Sequence, residues 1–242
     1  MESPLPRTLL TVWAHPDDEA YLSAGLMLRV ARSGGRVVNL TATRGELGGD
    51  GSETPAALAE RRTAELEAAL AHLGVHEVRH FDYPDGGCDD ISDAEGAAAV
   101  GAVMDEVRPD LVVTFGPDGI TGHPDHIAVG RWTTNAWQAR SEPGSLVYAT
   151  TTPEFVQRHA DIHWRLGVFP AGYPRPSLPG EVLFDVHLDD AELAVKRASL
   201  AAHASQTEGL AAQMGEPAFT YWWASESFRL PRPSELAATA AA

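Results

Sequence analysis

Residues 15–19 read His-Pro-Asp-Asp-Glu, and residues 122–126 read Gly-His-Pro-Asp-His. His15 and Asp18 stand three apart, as do His123 and His126. At the start of a helix, that spacing puts both side chains of a pair on one face. Two imidazoles and one carboxylate with an open fourth position are what a catalytic zinc site requires. The same donors suit iron(II) or another divalent ion. Helix capping is the competing explanation: Asp17 is a good cap, Pro16 and Pro124 suit a first helical turn, and acidic residues there offset the helix dipole. Capping does not explain a histidine before each proline, or a third histidine one turn on. Nor does it explain Asp17, Asp18 and Glu19 in a row, which repel one another unless a cation or dipole offsets them.

Such residues need a frame. Strands are expected over residues 8–14, 37–42, 77–81, 111–115 and 146–149. Between them, a helical pattern runs through Leu22, Leu26 and Val30 to Gly34-Gly35, and further helices cover 55–73, 93–107 and 124–140. Strands alternating with helices imply right-handed crossovers and a mostly parallel α/β sheet with helices on both faces. Ligands of such sheets bind beyond the carboxyl ends of the strands. Here those ends are polar: His15 to Glu19 after the first strand, Thr43-Arg44-Gly45-Glu46 after the second, Asp82-Tyr83-Pro84-Asp85-Gly86 after the third, and Gly116-Pro117-Asp118 leading to His123 after the fourth. Later in the chain, a loop over 170–180 holds four prolines and two glycines. A strand is expected over 182–188, then a helix over 190–206 capped by Asp189 or Asp190. One domain is expected over 1–230, with a Pro/Ala-rich tail over 231–242 that is frayed, or helical only when docked.

The bulk numbers narrow the function classes. With 242 residues, 44% of them hydrophobic, the chain can bury a full core. A net charge of -16 and a single lysine, Lys196, leave no electrostatic footprint for nucleic acid or anionic lipid. No apolar run approaches the roughly 18 residues of a membrane span, and residues 1–7 lack the pattern of a signal peptide. The lone cysteine, Cys88, excludes an internal disulfide and a thiolate metal site, and points to the cytoplasm. A homo-oligomer is compatible with the sequence.

The two motifs together resemble those of the LmbE-like, or PIG-L, N-deacetylase family. Residues 43–46, 62–66, 82–86 and 200–206 resemble its further blocks, so the resemblance covers 8–210. It implies a Rossmann-like fold and zinc-dependent hydrolysis of an N-acetyl group on a glucosamine-type unit. Carried over by position, it implies His15, Asp18 and His126 as metal ligands, Asp17 as general base and His123 as oxyanion stabiliser. Arg62 matches a substrate-contacting position, and Asp85 lies in a segment that lines the pocket of relatives. Residues 151–179, which shape the pocket in that family, match no family pattern.

The chemistry that follows is amide hydrolysis. Asp17 would take a proton from water and return it to the leaving amine. His123, if cationic, would donate to the oxyanion. Asp125 is expected to orient His123 and raise its pKa. The substrate is expected to be a small N-acetylated molecule or a glycosylated natural product. A rival on the same site is an amidase for a larger acyl group or a thiol conjugate. A nicotinamide oxidoreductase is excluded, because the Gly-x-Gly-x-x-Gly turn is missing after the first strand. His203 matches a family block but receives no chemical role. Cys88 is expected to pack rather than react. Tyr221-Trp222-Trp223 is read as core or as a sugar platform, and Arg44 and Glu46 as substrate ligands or as a pair.

Overall fold

A computed structural model describes residues 5–142 and 144–239. The first four residues of the N-terminal segment and the last three of the tail fall outside them. Strands β1 (Thr8–Trp13), β2 (Arg36–Thr43), β3 (Glu77–Tyr83), β4 (Leu111–Phe115) and β5 (Ser145–Thr150) are all parallel. Two later strands, β6 (Val182–His187) and β7 (Ser225–Arg229), complete a seven-stranded sheet in the order β3-β2-β1-β4-β5-β7-β6. β7 runs antiparallel to both its neighbours. β1 and β4 are buried along nearly their whole length, as central parallel strands covered on both faces must be. At the centre of the sheet, Thr11 donates to Asn39 Oδ1 at 2.8 Å, and Asn39 donates to Thr41 at 3.0 Å.

The helices follow the expected alternation, with two splits. The first expected helix is α1 (Asp18–Leu22) followed by α2 (Ala24–Arg32). The break has a cause in β7, where Glu226 accepts from Gly25 N at 2.7 Å and Leu26 N at 3.0 Å, capping α2 from outside. Lys196, buried, donates to Glu226 Oε1 and to Tyr21 O, both at 2.7 Å, closing the junction. Next come α3 (Pro55–His72), α4 (Asp93–Val107) and α5 (Pro124–Gln138). Residues 151–167, unassigned by the sequence pattern, form two short helices, α6 (Pro153–Arg158) and α7 (Ala160–Leu166). The helix expected over 190–206 divides at His203 into α8 (Asp190–Ala202) and α9 (Ala204–Met214), with Asp189 and Glu192 forming a capping box at the start of α8. α10 (Glu216–Trp222) leads into β7. The tail is a docked helix, α11 (Pro233–Thr239): Glu235 receives both arms of Arg229 at 2.8 Å, and Gln138 donates to Leu236 O at 3.1 Å.

α8 packs on α1, α2 and α3, while α4 packs on α5. Right-handed crossovers put these two groups on opposite faces of the sheet. The chain winds outward from β1 through β2 to β3, then restarts at β4 beside β1 and winds the other way. β1 and β4 therefore flank the topological switch point, where a crevice opens beyond the strand ends. No helix among the described residues is long and apolar enough to cross a membrane.

Candidate metal centre and its pocket

β1 delivers His15, Asp17 and Asp18 to the crevice, and the β4–α5 connection delivers His123, Asp125 and His126. The turn before α5 reverses through Gly119 at φ 61°, where an added Cβ would come within 2.9 Å of His126 Cβ. The chain there passes too close to α5 for any side chain, and the Gly119 carbonyl faces His126 Nδ1 at 2.9 Å. Asp17 precedes α1, but its side chain caps nothing. Its backbone sits at φ 124°, which costs a non-glycine residue about 1–3 kcal/mol. Two neighbours hold it there. Glu19 accepts from Asp17 N at 3.0 Å, and Arg62 donates to Pro16 O at 2.5 Å.

The nitrogens and oxygens that face one another are His15 Nδ1, His126 Nε2 and the Asp18 carboxylate. His15 Nδ1 lies 3.1 Å from His126 Nε2, His126 Nε2 lies 3.4 Å from Asp18 Oδ1, and His15 Nδ1 lies 3.7 Å from Asp18 Oδ2. Ligands about 2.0–2.1 Å from a tetrahedral ion are separated by roughly 3.3–3.4 Å, so the three side chains fit one divalent cation. The far nitrogen of each imidazole is already engaged. His15 Nε2 faces Asp125 Oδ2 at 3.0 Å and Asp85 Oδ1 at 3.1 Å, and His126 Nδ1 faces the Gly119 carbonyl. Such partners orient an imidazole toward a metal and raise its basicity. Asp125 is fully buried and is itself held by Gly86 N at 2.8 Å and Cys88 N at 3.0 Å.

His123 also brings a ring nitrogen within 4.8 Å of those of His15 and His126. Its Nδ1, however, accepts from Asp125 N at 3.2 Å, capping α5. In the neutral ring, Nε2 therefore carries the hydrogen and is a donor rather than a ligand. Burial, and then the charge of His15, push the His123 pKa down. The expected role of Asp125 is thus corrected in part: its carboxylate holds His15, whereas its backbone N–H holds His123, and its charge raises the His123 pKa against the larger lowering by burial and by His15.

Electrostatics separate the remaining groups. Burial opposes charge on His15, but the hydrogen bonds it donates to Asp125 and Asp85 prevail and raise its pKa to about 10. His15 Nδ1 and His126 Nε2 lie at hydrogen-bonding distance, so a proton and a metal cation compete for the same two nitrogens. Burial lifts Asp17 to about 6 against the opposing charge of Arg62. Burial would also lift Asp85, but the His15 hydrogen bond and charge hold it at about 2.

A cavity of about 550 Å³ opens from this centre, lined by all the expected site residues except the buried Asp125. Arg62 reaches it, but its terminal nitrogens donate to Gly45 O at 2.8 Å and to Pro16 O, and one lies 3.4 Å from Asp17 Oδ2. It braces the motif more than it offers itself to a ligand. Asp85 is similarly committed, accepting from Leu47 N at 2.9 Å besides facing His15. Arg44 and Glu46 do not pair: Arg44 donates to Asp82 at 2.7 Å, and Glu46 accepts from Asp85 N at 2.9 Å. Cys88 is packed in the core. Trp222 and Trp223 are buried and line the cavity, whereas Tyr221 is exposed.

Two features escaped the sequence. His203, at the α8–α9 break, is fully buried with Nε2 2.7 Å from Glu19 Oε1. Only its place in a family block signalled it. Val168 and Phe169, from the segment without a family pattern, form part of the cavity wall.

Comparison with known proteins places the chain in a family. The family described as PIG-L, GlcNAc-PI de-N-acetylase, matches residues 10–137. The chain is 35% identical over 249 aligned positions to a 1D-myo-inositol 2-acetamido-2-deoxy-alpha-D-glucopyranoside deacetylase of Kineococcus radiotolerans, covering 83% of this chain and 69% of the relative. Its fold is similar to that of N,N'-diacetylchitobiose deacetylase from Pyrococcus horikoshii, with a TM-score of 0.66, 22% identity, and coverage of 93% of this chain and 84% of that one. It is also similar to the zinc-inhibited form of teicoplanin deacetylase Orf2, with a TM-score of 0.65, 19% identity, and coverage of 93% and 99%. By the match over its first half and the identity to a curated relative along most of its length, this chain belongs to the PIG-L family of GlcNAc-PI de-N-acetylases.

Proposed function

We propose that the chain hydrolyses the N-acetyl group of a glucosamine-type unit on a small molecule, using one divalent cation, zinc in our reading, held by His15, Asp18 and His126. The observation that carries this is the facing of His15 Nδ1 and His126 Nε2 at 3.1 Å, with the Asp18 carboxylate 3.4 Å from His126 through Oδ1 and 3.7 Å from His15 through Oδ2, and with Asp17 and His123 beside them on the cavity. The names of the relatives support the N-acetyl sugar as substrate class.

An amide carbonyl is a poor electrophile, and its amine leaves only when protonated. The cation, when bound, supplies Lewis acidity for the carbonyl and lowers the pKa of water. Asp17 takes a proton from the attacking water as the new C–O bond forms. His123 donates its Nε2 hydrogen to the carbonyl oxygen as that oxygen gains charge. Asp17 then delivers its proton to the nitrogen, the C–N bond breaks, and acetate and a free amine leave. Arg62 and Glu19 keep Asp17 in its strained backbone position. Asp125 and Asp85 keep His15 turned toward the cation. Residues 231–242 are read as an appendage to the catalytic domain, and the lone cysteine supports our reading of a cytoplasmic setting.

The test is acetate release from N-acetylglucosamine glycosides by purified protein, before and after chelation and after return of one equivalent of zinc, iron(II) or cobalt. Loss on chelation and recovery on return is the expected result. Turnover unaffected by complete metal removal would overturn the metal reading, and no acetate from any glycoside with metal present would overturn the substrate reading.

A further inference from the structure

Residues 116–122 carry the chain from β4 toward α5, and the Gly119 carbonyl in this turn faces His126 Nδ1 at 2.9 Å. A carbonyl oxygen only accepts, so the contact puts the ring hydrogen on Nδ1 and leaves the Nε2 lone pair facing His15. The turn has an unfavourable backbone. Gly119, Ile120 and Gly122 all have positive φ, at 61°, 62° and 76°. For a β-branched residue such as Ile120 that conformation is rare, and it persists only where the surroundings enforce it. Gly119 N donates to Gly116 O at 2.9 Å, and Gly122 N donates to Asp118 O at 3.1 Å, but these bonds close the turn only on itself.

Two side chains from later in the chain bear on the turn from outside. The Tyr173 ring covers Gly122, where an added Cβ would fall within 2.5 Å of it. Arg229, at the end of β7, covers Gly116: an added Cβ there would lie 3.1 Å from Arg229 Nη2 and 3.2 Å from Asp118 Oδ1. Arg229 is buried, with its guanidinium over the Tyr148 ring at 5.1 Å. A buried guanidinium needs a hydrogen-bonded counter-charge. Glu235 of α11 supplies it through both oxygens at 2.8 Å, and also accepts from Arg232 N at 2.7 Å. Gln138, at the end of α5, donates to α11 as well. The tail helix thus joins β7 to the helix that carries His126.

We infer that α11, through Glu235 and Arg229, clamps the turn over residues 116–122 and so keeps His126 Nε2 aimed at the bound cation. The tail is then part of the site's support rather than a bystander. Glu235 and Arg229 act through the Gly119 carbonyl, so they are positioning residues. The consequence for the cation rests on the metal reading above, whereas the orientation of the His126 ring belongs to the chain itself.

The experiment uses the full chain and two readouts. A long-range proton–nitrogen correlation spectrum of the metal-free protein reports the tautomer and hydrogen bonding of the His126 ring, and chelator competition gives the affinity for cobalt(II). Glu235→Ala should move the His126 signals and weaken cobalt(II) binding by about 3–10-fold, less than the roughly 10–100-fold for removing a direct partner of a ligand. Glu235→Gln, which keeps an oxygen for the guanidinium, should recover part of both. Arg36→Gln is the control: it breaks a half-buried ion pair with Glu77 at the opposite end of the sheet, and should lose stability in urea while moving neither readout. Unmoved His126 signals or undiminished cobalt(II) affinity in Glu235→Ala, or the same changes in Arg36→Gln, overturns the inference. If the wild type itself takes up no metal, the metal reading fails, and the His126 signals alone decide this one: moved in Glu235→Ala and not in the control upholds it, and any other pattern overturns it.

Discussion

His203 Nε2 lies 2.7 Å from Glu19 Oε1, with both side chains fully buried, and the other oxygen of Glu19 accepts from the backbone of Asp17. A histidine 184 residues downstream thus steadies the strained turn that presents the Asp17 carboxylate. His203 does not line the cavity, so the role predicted for it is positioning. His203→Leu should lower kcat by about 10–100-fold, the usual effect of removing an outer partner at such a site. His203→Gln, which keeps a donor, should restore part of it. In an Asp17→Asn background, His203→Leu should add little, because both changes act through one group. Full additivity would remove the positioning role.

Asp17 itself gives a sharper test. It lines the cavity beside Asp18 without being needed to complete the three-donor set. Asp17→Asn should keep the metal and lose about 10²–10⁴-fold in turnover, the range for removing a general base. Metal analysis alongside kcat decides it. Wild-type turnover in the variant would mean that another group moves the proton.

Asp125 and His123 separate in the same way. Asp125→Asn weakens the grip on His15 Nε2 and should reduce metal affinity by about 10–100-fold. His123→Ala should leave metal content intact and lower kcat, since its Nε2 points a hydrogen rather than a lone pair. His15→Ala and His126→Ala should lose the metal altogether. Metal loss in His123→Ala would instead place that ring among the ligands, as its proximity to His15 and His126 allows.

The convergence of His15, Asp18 and His126 was readable from the sequence for a reason of topology. Both motifs follow strands, and strand–helix alternation puts all parallel strand ends on one edge. The role of Asp125 was not readable: sequence proximity pairs it with His123, two residues away, whereas the fold aims its carboxylate at His15, 110 residues away. His203 had no local partner to betray it. α6, α7 and α10 span six or seven residues each, too short for a 3.6-residue period to emerge. β7 escaped because its pairing with β5 and β6 is antiparallel and lies outside the alternating βα pattern. The α1–α2 break depends on Glu226, about 200 residues away from the amides it caps.

His163 offers a test far from the metal centre. Burial, with a smaller push from His159, lowers its pKa from 6.5 to about 4, and its neutral Nε2 accepts from Trp222. Between those two values the unfolded chain binds the proton and the folded chain does not. Its share of stability is therefore complete above pH 6.5 and is lost as pH falls toward 4. His163→Gln keeps an acceptor for the indole but has nothing to titrate. The advantage of the wild type over this variant in urea unfolding should shrink between pH 7 and pH 5. His80, also lowered by burial to about 4, contributes equally to both proteins and cancels in the difference. An advantage that stays constant or grows on acidification would mean that His163 is not held neutral, and the anchoring of Trp222 in the cavity wall would then need another cause.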